Sequence, residues 1–155
     1  MPESRLDSDK SPDNGGGKNL DQAYRALIEA ASEAARHAYA PYTNKGQGAA
    51  VLTESGEIVC GTTVEIASYS ASVSADIAAI SQAVARGHRR FKAIAVVPFS
   101  PPSGNARQFM AEFGIHLELL QVVEGGYRVL ALSDLLPHHF GPDNIELEQS
   151  SRQVE

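Results

Sequence analysis

Two serines stand where a loop runs into a predicted helix, Ser74 in the first half of the chain and Ser103 in the second. A hydroxyl in this position can cap the helix, bind an anionic or carbonyl group, or act as a nucleophile. Nucleophilic catalysis needs a neighbouring base, and no histidine is placed beside either serine by a motif. The pattern therefore favours capping for both serines, with ligand binding by the same hydroxyls as the functional alternative.

The residue types that usually bind metals do not form a site in this sequence. His138 and His139 are adjacent, and the other three histidines lie on separate predicted elements without ligand spacing. Cys60 is the single cysteine and lies in a short apolar strand, so we expect a small buried hydrophobic residue and not a nucleophile. We predict no metal and no other cofactor.

Composition indicates one globular domain, with 155 residues, 43% hydrophobic residues and a net charge of -6. The acidic excess disfavours a nucleic-acid partner, which usually requires a basic surface. No apolar run approaches the ~20 residues of a membrane span, and the N-terminus has no apolar signal segment. We expect a cytoplasmic protein whose partner is a small-molecule ligand, with neither nucleic acid nor a membrane involved.

Hydrophobic periodicity predicts the element order αββαβαββ. Helices are expected over about 21–39, 72–86 and 104–113, and strands over about 48–53, 57–63, 91–97, 116–123 and 127–131, before a short helical turn at about 132–137. Polar composition assigns residues 1–18 to a disordered tail, 19–140 to the domain and 141–155 to a flexible tail. Helices that alternate with a buried sheet indicate an α/β fold of three layers, α/β/α.

Residues from about 21 to about 140 resemble the small, homotetrameric cytidine deaminases, and also blasticidin-S deaminase. The resemblance is carried, in the family's order and spacing, by Ala38-Tyr-Ala-Pro-Tyr42, Gly48-Ala-Ala50, Glu65, Ala67-Ser-Tyr69, Gly104, Arg107-Gln108, Glu112-Phe113-Gly114 and Leu135-Leu-Pro137. It implies a cytidine deaminase-like fold with a mixed five-stranded sheet. It also implies a homotetramer, with a homodimer as the alternative.

The resemblance implies a zinc site as well, and there the sequence departs from the family. The family's Cys-Ala-Glu is Ser74-Ala75-Asp76, and its Pro-Cys-Gly-x-Cys is Pro102-Ser103-Gly104-Asn105-Ala106. Serine is a poor zinc ligand, and alanine cannot ligate at all. Asp76 is one methylene shorter than the family's proton-shuttling glutamate, and Ile77 replaces the arginine that follows it. We predict a divergent member without zinc.

The resemblance also assigns the residues around a ligand. Lys45 replaces an aromatic residue, Gln47 replaces an aliphatic one, and the family's Asn-x-Glu is Thr63-Val-Glu65. Lys45 could pair with a ligand carboxylate or phosphate, or it could be a solvated loop residue. The residues expected to bind the ligand are Lys45, Gln47, Thr63, Ser74, Ser103 and Asn105.

Glu65 and Asp76 are the candidate catalytic residues. Two carboxylates in one pocket would repel each other, so one would hold a proton and serve as acid while the other served as base. The structural alternative is that Glu65 bonds strand ends and Asp76 stabilises the N-terminus of its helix.

Three functions are open, and we favour the first. It is a metal-independent enzyme on a cytidine deaminase-like scaffold, with acid–base chemistry such as cyclisation, isomerisation, addition or elimination on a small polar metabolite in a biosynthetic pathway. The second is a catalytically inactive homologue that serves as a ligand-binding or partner subunit. The third is a residual cytidine or nucleoside deaminase.

Overall fold

The element order predicted from the sequence is confirmed in the computed structural model, which describes residues 15–145. The elements are α1 (Gly15–Ala35), β1 (Gly48–Thr53), β2 (Ile58–Thr62), α2 (Ala75–Ala85), β3 (Phe91–Val97), α3 (Gly104–Ala111), β4 (Glu118–Val123), β5 (Gly126–Ala131) and α4 (Leu132–Leu135). A 3₁₀ turn at Tyr69–Ala71 precedes α2.

The first helix begins earlier and the second later than the periodicity predicts. Helix α1 starts at Gly15, inside the stretch predicted as a tail, and residues 142–145 of the other predicted tail are helical. The rest of both predicted tails, 1–14 and 146–155, lies outside the described residues. Helix α2 starts at Ala75 because Val73 is extended and exchanges two backbone hydrogen bonds of 2.9 Å with Val64.

The five strands form one mixed sheet in the order β2-β1-β3-β4-β5. Strands β3 and β4 pair in parallel, and the other three pairs are antiparallel. Strand β1 is buried along its whole length, as expected of a strand covered on both faces. This arrangement confirms the predicted five-stranded sheet.

Successive residues of β1 point to opposite faces of the sheet and so enter two separate cores. Ala50 and Leu52 pack with Leu27 and Ala31 of α1 on one face. On the other face Ala49 and Val51 join a cluster that is supplied by the later helices, including Ala79, Ile80, Ala106, Met110 and Leu132. The chain is therefore a three-layer α/β/α sandwich, as predicted.

Two glycines let the helices approach the sheet closely. A Cβ built on Gly48 would lie 2.2 Å from the backbone of Ala31 and Ala35 in α1. A Cβ on Gly61 would lie 2.2 Å from the backbone nitrogen of Ala79 in α2. No larger residue fits either position without moving a helix away from the sheet, and α2 is the helix that carries the Ser74–Asp76 segment at its start.

Polar side chains of α1 form hydrogen bonds with strands β4 and β5, at one edge of the sheet. The Tyr127 hydroxyl donates to Asp21 at 2.7 Å, and Arg25 donates to the same carboxylate at 2.8 Å. The Tyr24 hydroxyl donates to Glu118 of β4. Within residues 15–145 no helix combines the length and apolar character that crossing a membrane would need.

Candidate functional site

An open cavity of about 310 Å³ lies between the loop after α1, the end of β2 and the start of α2. Its lining residues are Thr43, Lys45, Gln47, Thr63, Glu65, Tyr69, Ser72, Val73 and Ser74. We call it the Glu65 cavity. It contains five of the predicted site residues, so three separate segments predicted to share a ligand do meet in space.

Val64 explains why these segments meet. It pairs with Tyr39 on one side and with Val73 on the other, as two isolated β-bridges. The Glu65 N–H donates to the carbonyl of Tyr39 at 2.7 Å, which fixes the loop after α1 against the end of β2. Because side chains alternate along extended backbone, Val64 is exposed while the next residue, Glu65, turns inward.

Glu65 as a whole residue is only 6% exposed, although it belongs to a cavity wall. Its Oε2 accepts two hydrogen bonds of 3.2 Å from Thr43, one from the backbone N–H and one from the hydroxyl. Among the described residues no other hydrogen bond reaches this carboxylate, so its Oε1 has no partner. Every fully buried side-chain oxygen of these residues does have a partner, so Oε1 is not fully buried. Oε1 is therefore solvent-accessible and available to a ligand that donates.

Gln47 and Thr63 form hydrogen bonds within the cavity wall, and in the described part of the chain these leave the Gln47 side-chain oxygen and the Thr63 hydroxyl proton available to a ligand. The Gln47 side-chain amide donates to the Pro98 carbonyl at 2.7 Å and to the Ser100 hydroxyl at 2.9 Å. The Thr63 hydroxyl accepts from the Gln47 N–H at 3.1 Å. Lys45 lines the same cavity from an exposed loop, and within the described chain its side chain makes no ion pair.

The hydroxyl of Ser74 lies at the boundary between the Glu65 cavity and the protein interior. Ser74 is the N-cap residue of α2 by position, but its side chain accepts no hydrogen bond from the helix. The expectation that it caps through its hydroxyl is therefore wrong. The hydroxyl donates instead to Oδ1 of Asp76, which also accepts the Ile77 N–H at 2.8 Å.

The prediction that Glu65 and Asp76 share one pocket is wrong. Asp76 is 6% exposed and lines a different, nearly closed cavity of about 10 Å³ with apolar walls that include Ile94, Met110 and Leu119. That space is about the size of one water molecule. Helix α2 turns Asp76 toward the sheet, while Ser74, one step before the helix, faces the Glu65 cavity.

Two further predicted ligand contacts also lie elsewhere. The Ser103 hydroxyl accepts the Ala106 N–H at 3.2 Å and so caps α3, which confirms the capping interpretation for this serine. Asn105 lines a cavity of about 450 Å³ on the outer side of α3, together with Phe109, Phe113 and Phe140. Neither residue lines the Glu65 cavity.

Sequence reasoning missed Thr43 and Tyr69 at the cavity. Thr43 belongs to a loop with no motif of its own, and its contact with Glu65 bridges 22 positions of sequence. Tyr69 is an exposed aromatic residue within a serine-rich loop, and its ring lies 5.8 Å from that of Tyr42. An exposed aromatic residue in such a loop is a usable signal for a binding surface, whereas nothing marks Thr43.

Comparison with known proteins identifies the family of this chain. Residues 4–98 match the family model for the cytidine and deoxycytidylate deaminase zinc-binding region. The chain belongs to this family. It is 35% identical over 128 residues to the cytidine deaminase of Halalkalibacterium halodurans, covering 77% of this chain and 95% of that protein. A probable cytidine deaminase of Dictyostelium discoideum is 39% identical over 92 residues, 56% of this chain and 63% of that protein.

The fold agrees with this assignment. The crystal structure of cytidine deaminase from Burkholderia pseudomallei superposes with a TM-score of 0.70 at 42% identity, over 76% of this chain and 98% of that one. The cytidine deaminase-like fold inferred from the sequence is thereby confirmed.

The residues of this chain do not fit the zinc ion that the family's description implies. The three positions that the resemblance assigns to ligands carry two hydroxyls and the methyl group of Ala106. One hydroxyl donates to Asp76 and the other caps α3. Hydroxyls with such pairing are poor zinc ligands. Nowhere in residues 15–145 do three histidine, cysteine, aspartate or glutamate side chains meet as a potential metal site.

Proposed function

We propose that this protein binds a pyrimidine nucleoside, or a close analogue, in the Glu65 cavity and does not deaminate it through zinc. The observation that carries the proposal is the contrast at this cavity. The buried carboxylate of Glu65 is present and held by Thr43, while the first of the family's ligand positions is a hydroxyl bonded to Asp76.

The cavity suits a ligand with hydroxyl donors. Glu65 Oε1 is an acceptor that Thr43 leaves free, and the hydroxyls of a sugar are donors of matching kind. A cavity of about 310 Å³ is at the lower end of the range for small-molecule sites. Lys45 lies where it could meet an additional anionic group, and Tyr69 offers an aromatic surface at the same cavity.

Residual cytidine deamination is the second candidate, and the names of the relatives favour it. The relative from Halalkalibacterium halodurans is a cytidine deaminase, and the match covers 95% of it. The donor set argues the other way, since two serines and an alanine do not replace thiolates.

A repurposed acid–base enzyme, the function favoured by the sequence, stays a prediction. It was motivated by pocket residues that differ together from the family toward polar types, and its two candidate catalytic carboxylates, Glu65 and Asp76, line different cavities. The homotetramer or homodimer and the cytoplasmic location likewise stay predictions.

The experiment measures binding and turnover on the same chelator-treated protein. We expect cytidine to raise the melting temperature, because a ligand at about 100 times its dissociation constant stabilises a protein by ~2.7 kcal/mol. We expect no loss of cytidine absorbance over hours, with or without added zinc. Zinc-dependent conversion of cytidine would establish the second candidate, and the absence of any nucleoside-induced shift would overturn the proposal.

Glu65→Gln is the matched variant. It keeps the shape of the side chain and removes the charge that strengthens hydrogen bonds from ligand hydroxyls, so affinity should fall by about tenfold to a hundredfold. Glu54→Gln, in the exposed turn between β1 and β2, is the control and should bind as the wild-type protein does. Equal affinity of the Glu65→Gln variant and the wild-type protein would place the ligand elsewhere.

A further inference from the structure

The backbone of Lys45 is fixed beside Glu65, although its side chain is exposed. Asn44, the residue before it, has a left-handed backbone conformation with a φ of 57°. The Lys45 N–H donates to the Thr43 hydroxyl at 3.2 Å, and that hydroxyl donates in turn to Oε2 of Glu65 at 3.2 Å. Two successive hydrogen bonds therefore connect the backbone of Lys45 to Glu65 and give this lysine a defined place in the wall of the Glu65 cavity.

Two opposite charges line the Glu65 cavity without pairing with each other. Among its described lining residues, Lys45 and Glu65 alone carry a charge. No ion pair of the described chain includes either of them. The Lys45 ammonium makes no hydrogen bond with these residues, and Oε1 of Glu65 is likewise without a partner. A neutral ligand would use Oε1 and leave the ammonium to water, whereas an anionic ligand would use both groups.

Three hydroxyls in the same cavity add donors to the ammonium. Thr63 accepts the Gln47 N–H at 3.1 Å and Ser72 accepts the Ile66 N–H at 3.0 Å, so each hydroxyl keeps its proton for another partner. Tyr69 is exposed, and its hydroxyl makes no hydrogen bond with any described residue. An ionised carboxylate only accepts hydrogen bonds, and it does so through two oxygens. One ammonium among hydroxyl donors therefore matches the needs of a carboxylate.

The charge of the cavity favours a ligand group with a single negative charge. A carboxylate brings one negative charge, which one ammonium balances. A phosphate monoester brings about −1.5 to −2 at pH 7, and the excess would lie in a cavity that already contains the Glu65 carboxylate. Like charges repel, and the protein as a whole has a net charge of -6. A carboxylate therefore suits this cavity better than a phosphate.

We propose that the ligand of the Glu65 cavity is a pyrimidine nucleoside derivative that carries a carboxylate, and that Lys45 is the residue that selects it. This inference rests on the proposed function and narrows the ligand class within it. The Lys45 ammonium donates to the carboxylate, while Oε1 of Glu65 accepts from a hydroxyl of the sugar. The ligand thereby meets both charges of the cavity at two separate points.

The test is calorimetric titration with four ligands: cytidine, cytidine 5′-monophosphate, 5-carboxycytidine and the 5′-carboxylic acid of cytidine. The last two place the carboxylate on the base or on the sugar, and so cover both ends of a bound nucleoside. One of these two should bind about tenfold more tightly than cytidine, the effect of one charge-assisted hydrogen bond. The monophosphate should bind less tightly than that carboxylate.

Variants of Lys45 should change the advantage of this carboxylate over cytidine. Lys45→Gln removes the ammonium and should abolish the advantage, whereas Lys45→Arg keeps the positive charge and should keep most of it. Lys92→Gln is the matched control and should leave it unchanged, because Lys92 is an exposed lysine of β3 outside the Glu65 cavity. Since salt screens an exposed ion pair, the advantage should also shrink between about 0.05 M and about 0.5 M sodium chloride.

Several results would overturn the inference and leave the proposed function standing. One is binding of cytidine with no advantage for either carboxylate, and another is a monophosphate that binds more tightly than both carboxylates. An advantage that survives Lys45→Gln, or one that salt does not reduce, would equally overturn the role of Lys45. Absence of binding by all four ligands would overturn the proposed function, and this inference with it.

Discussion

Among the residues that the structure describes, one alone holds the Glu65 carboxylate at the cavity wall. Thr43 supplies both hydrogen bonds that reach it, through the backbone N–H and through the hydroxyl. The carboxylate is thereby oriented before a ligand arrives, which lowers the cost of ordering it on binding. The contribution of Thr43 to affinity is therefore indirect and can be separated from that of Glu65.

Thr43→Val tests this orientation. Valine keeps the shape of threonine and the backbone hydrogen bond but loses the hydroxyl, so cytidine affinity should fall by about fivefold, as expected for one hydrogen bond of ~1 kcal/mol. Calorimetric titration measures the change. Thr62→Val, in β2 outside the Glu65 cavity, is the control. An unchanged dissociation constant in Thr43→Val would show that the orientation of Glu65 does not depend on this hydroxyl.

The family resemblance assigned Glu65, Ser74 and Lys45 to one site, but it could not give the direction of each side chain. These three residues line one cavity. Asn105 points elsewhere because each step along a helix rotates a side chain by about 100°. The bond from Ser74 to Asp76 depends on a rotamer choice between capping and donation, and both choices are open to a serine before a helix.

At the scale of elements, the cap of α3 is a measurable contribution to stability. Ser103→Ala should lower the free energy of unfolding by about 1 kcal/mol, because the Ala106 N–H loses its acceptor. Urea unfolding measures this change. Ser103→Asp should restore most of the loss, since aspartate also caps helices. If alanine were as stable as serine, the hydroxyl would not be functioning as a cap.

The contact between α2 and β2 gives a second prediction at this scale. Gly61→Ala should destabilise the protein by about 1–3 kcal/mol, because the new methyl group would meet the backbone of Ala79 at 2.2 Å. Gly104→Ala is the control: it begins α3 with open space around it, and alanine favours a helix. Thermal unfolding of both variants compares them. Equal stability of Gly61→Ala and the wild-type protein would mean that α2 can move away from the sheet without cost.

The elements themselves were largely predictable because their hydrophobic patterns are strong. The bounds of β1 and β3 agree with the prediction, since both strands are apolar runs between polar turns. The start of α1 was missed because glycine disfavours helices and Gly15 to Gly17 resembled a linker. The start of α2 was missed because the bridge between Val64 and Val73 is a tertiary contact that overrides local periodicity.

At the scale of the whole molecule, α1 is joined to the opposite edge of the sheet through Asp21. Hydrogen bonds from Arg25 and then from Tyr127 hold the pKa of this carboxyl below its ordinary value of 3.8. A carboxyl whose pKa is lower in the folded than in the unfolded state adds stability above the unfolded pKa. That stability is lost as the pH falls through the folded value.

The effect of Asp21→Asn on the stability of the protein should therefore depend on pH. The melting temperature of the variant should lie below that of the wild-type protein at pH 7, and the difference should shrink as the pH falls below about 4. Glu54→Gln, an exposed turn variant, is the control and should follow the wild-type curve more closely. A difference between Asp21→Asn and the wild-type protein that stays constant from pH 7 to pH 3 would show that the carboxylate charge is not what stabilises this contact.

We propose that this member of the cytidine deaminase family binds a pyrimidine nucleoside and lacks the residues to hold zinc. Proton NMR of cytidine with chelator-treated protein, followed by addition of one equivalent of zinc, tests it in a single sample. We predict broadened and shifted cytidine resonances from the start, no uridine after a day, and no change on adding zinc. Appearance of uridine resonances after zinc is added would show that the protein can hold zinc and deaminate cytidine, and would overturn this proposal.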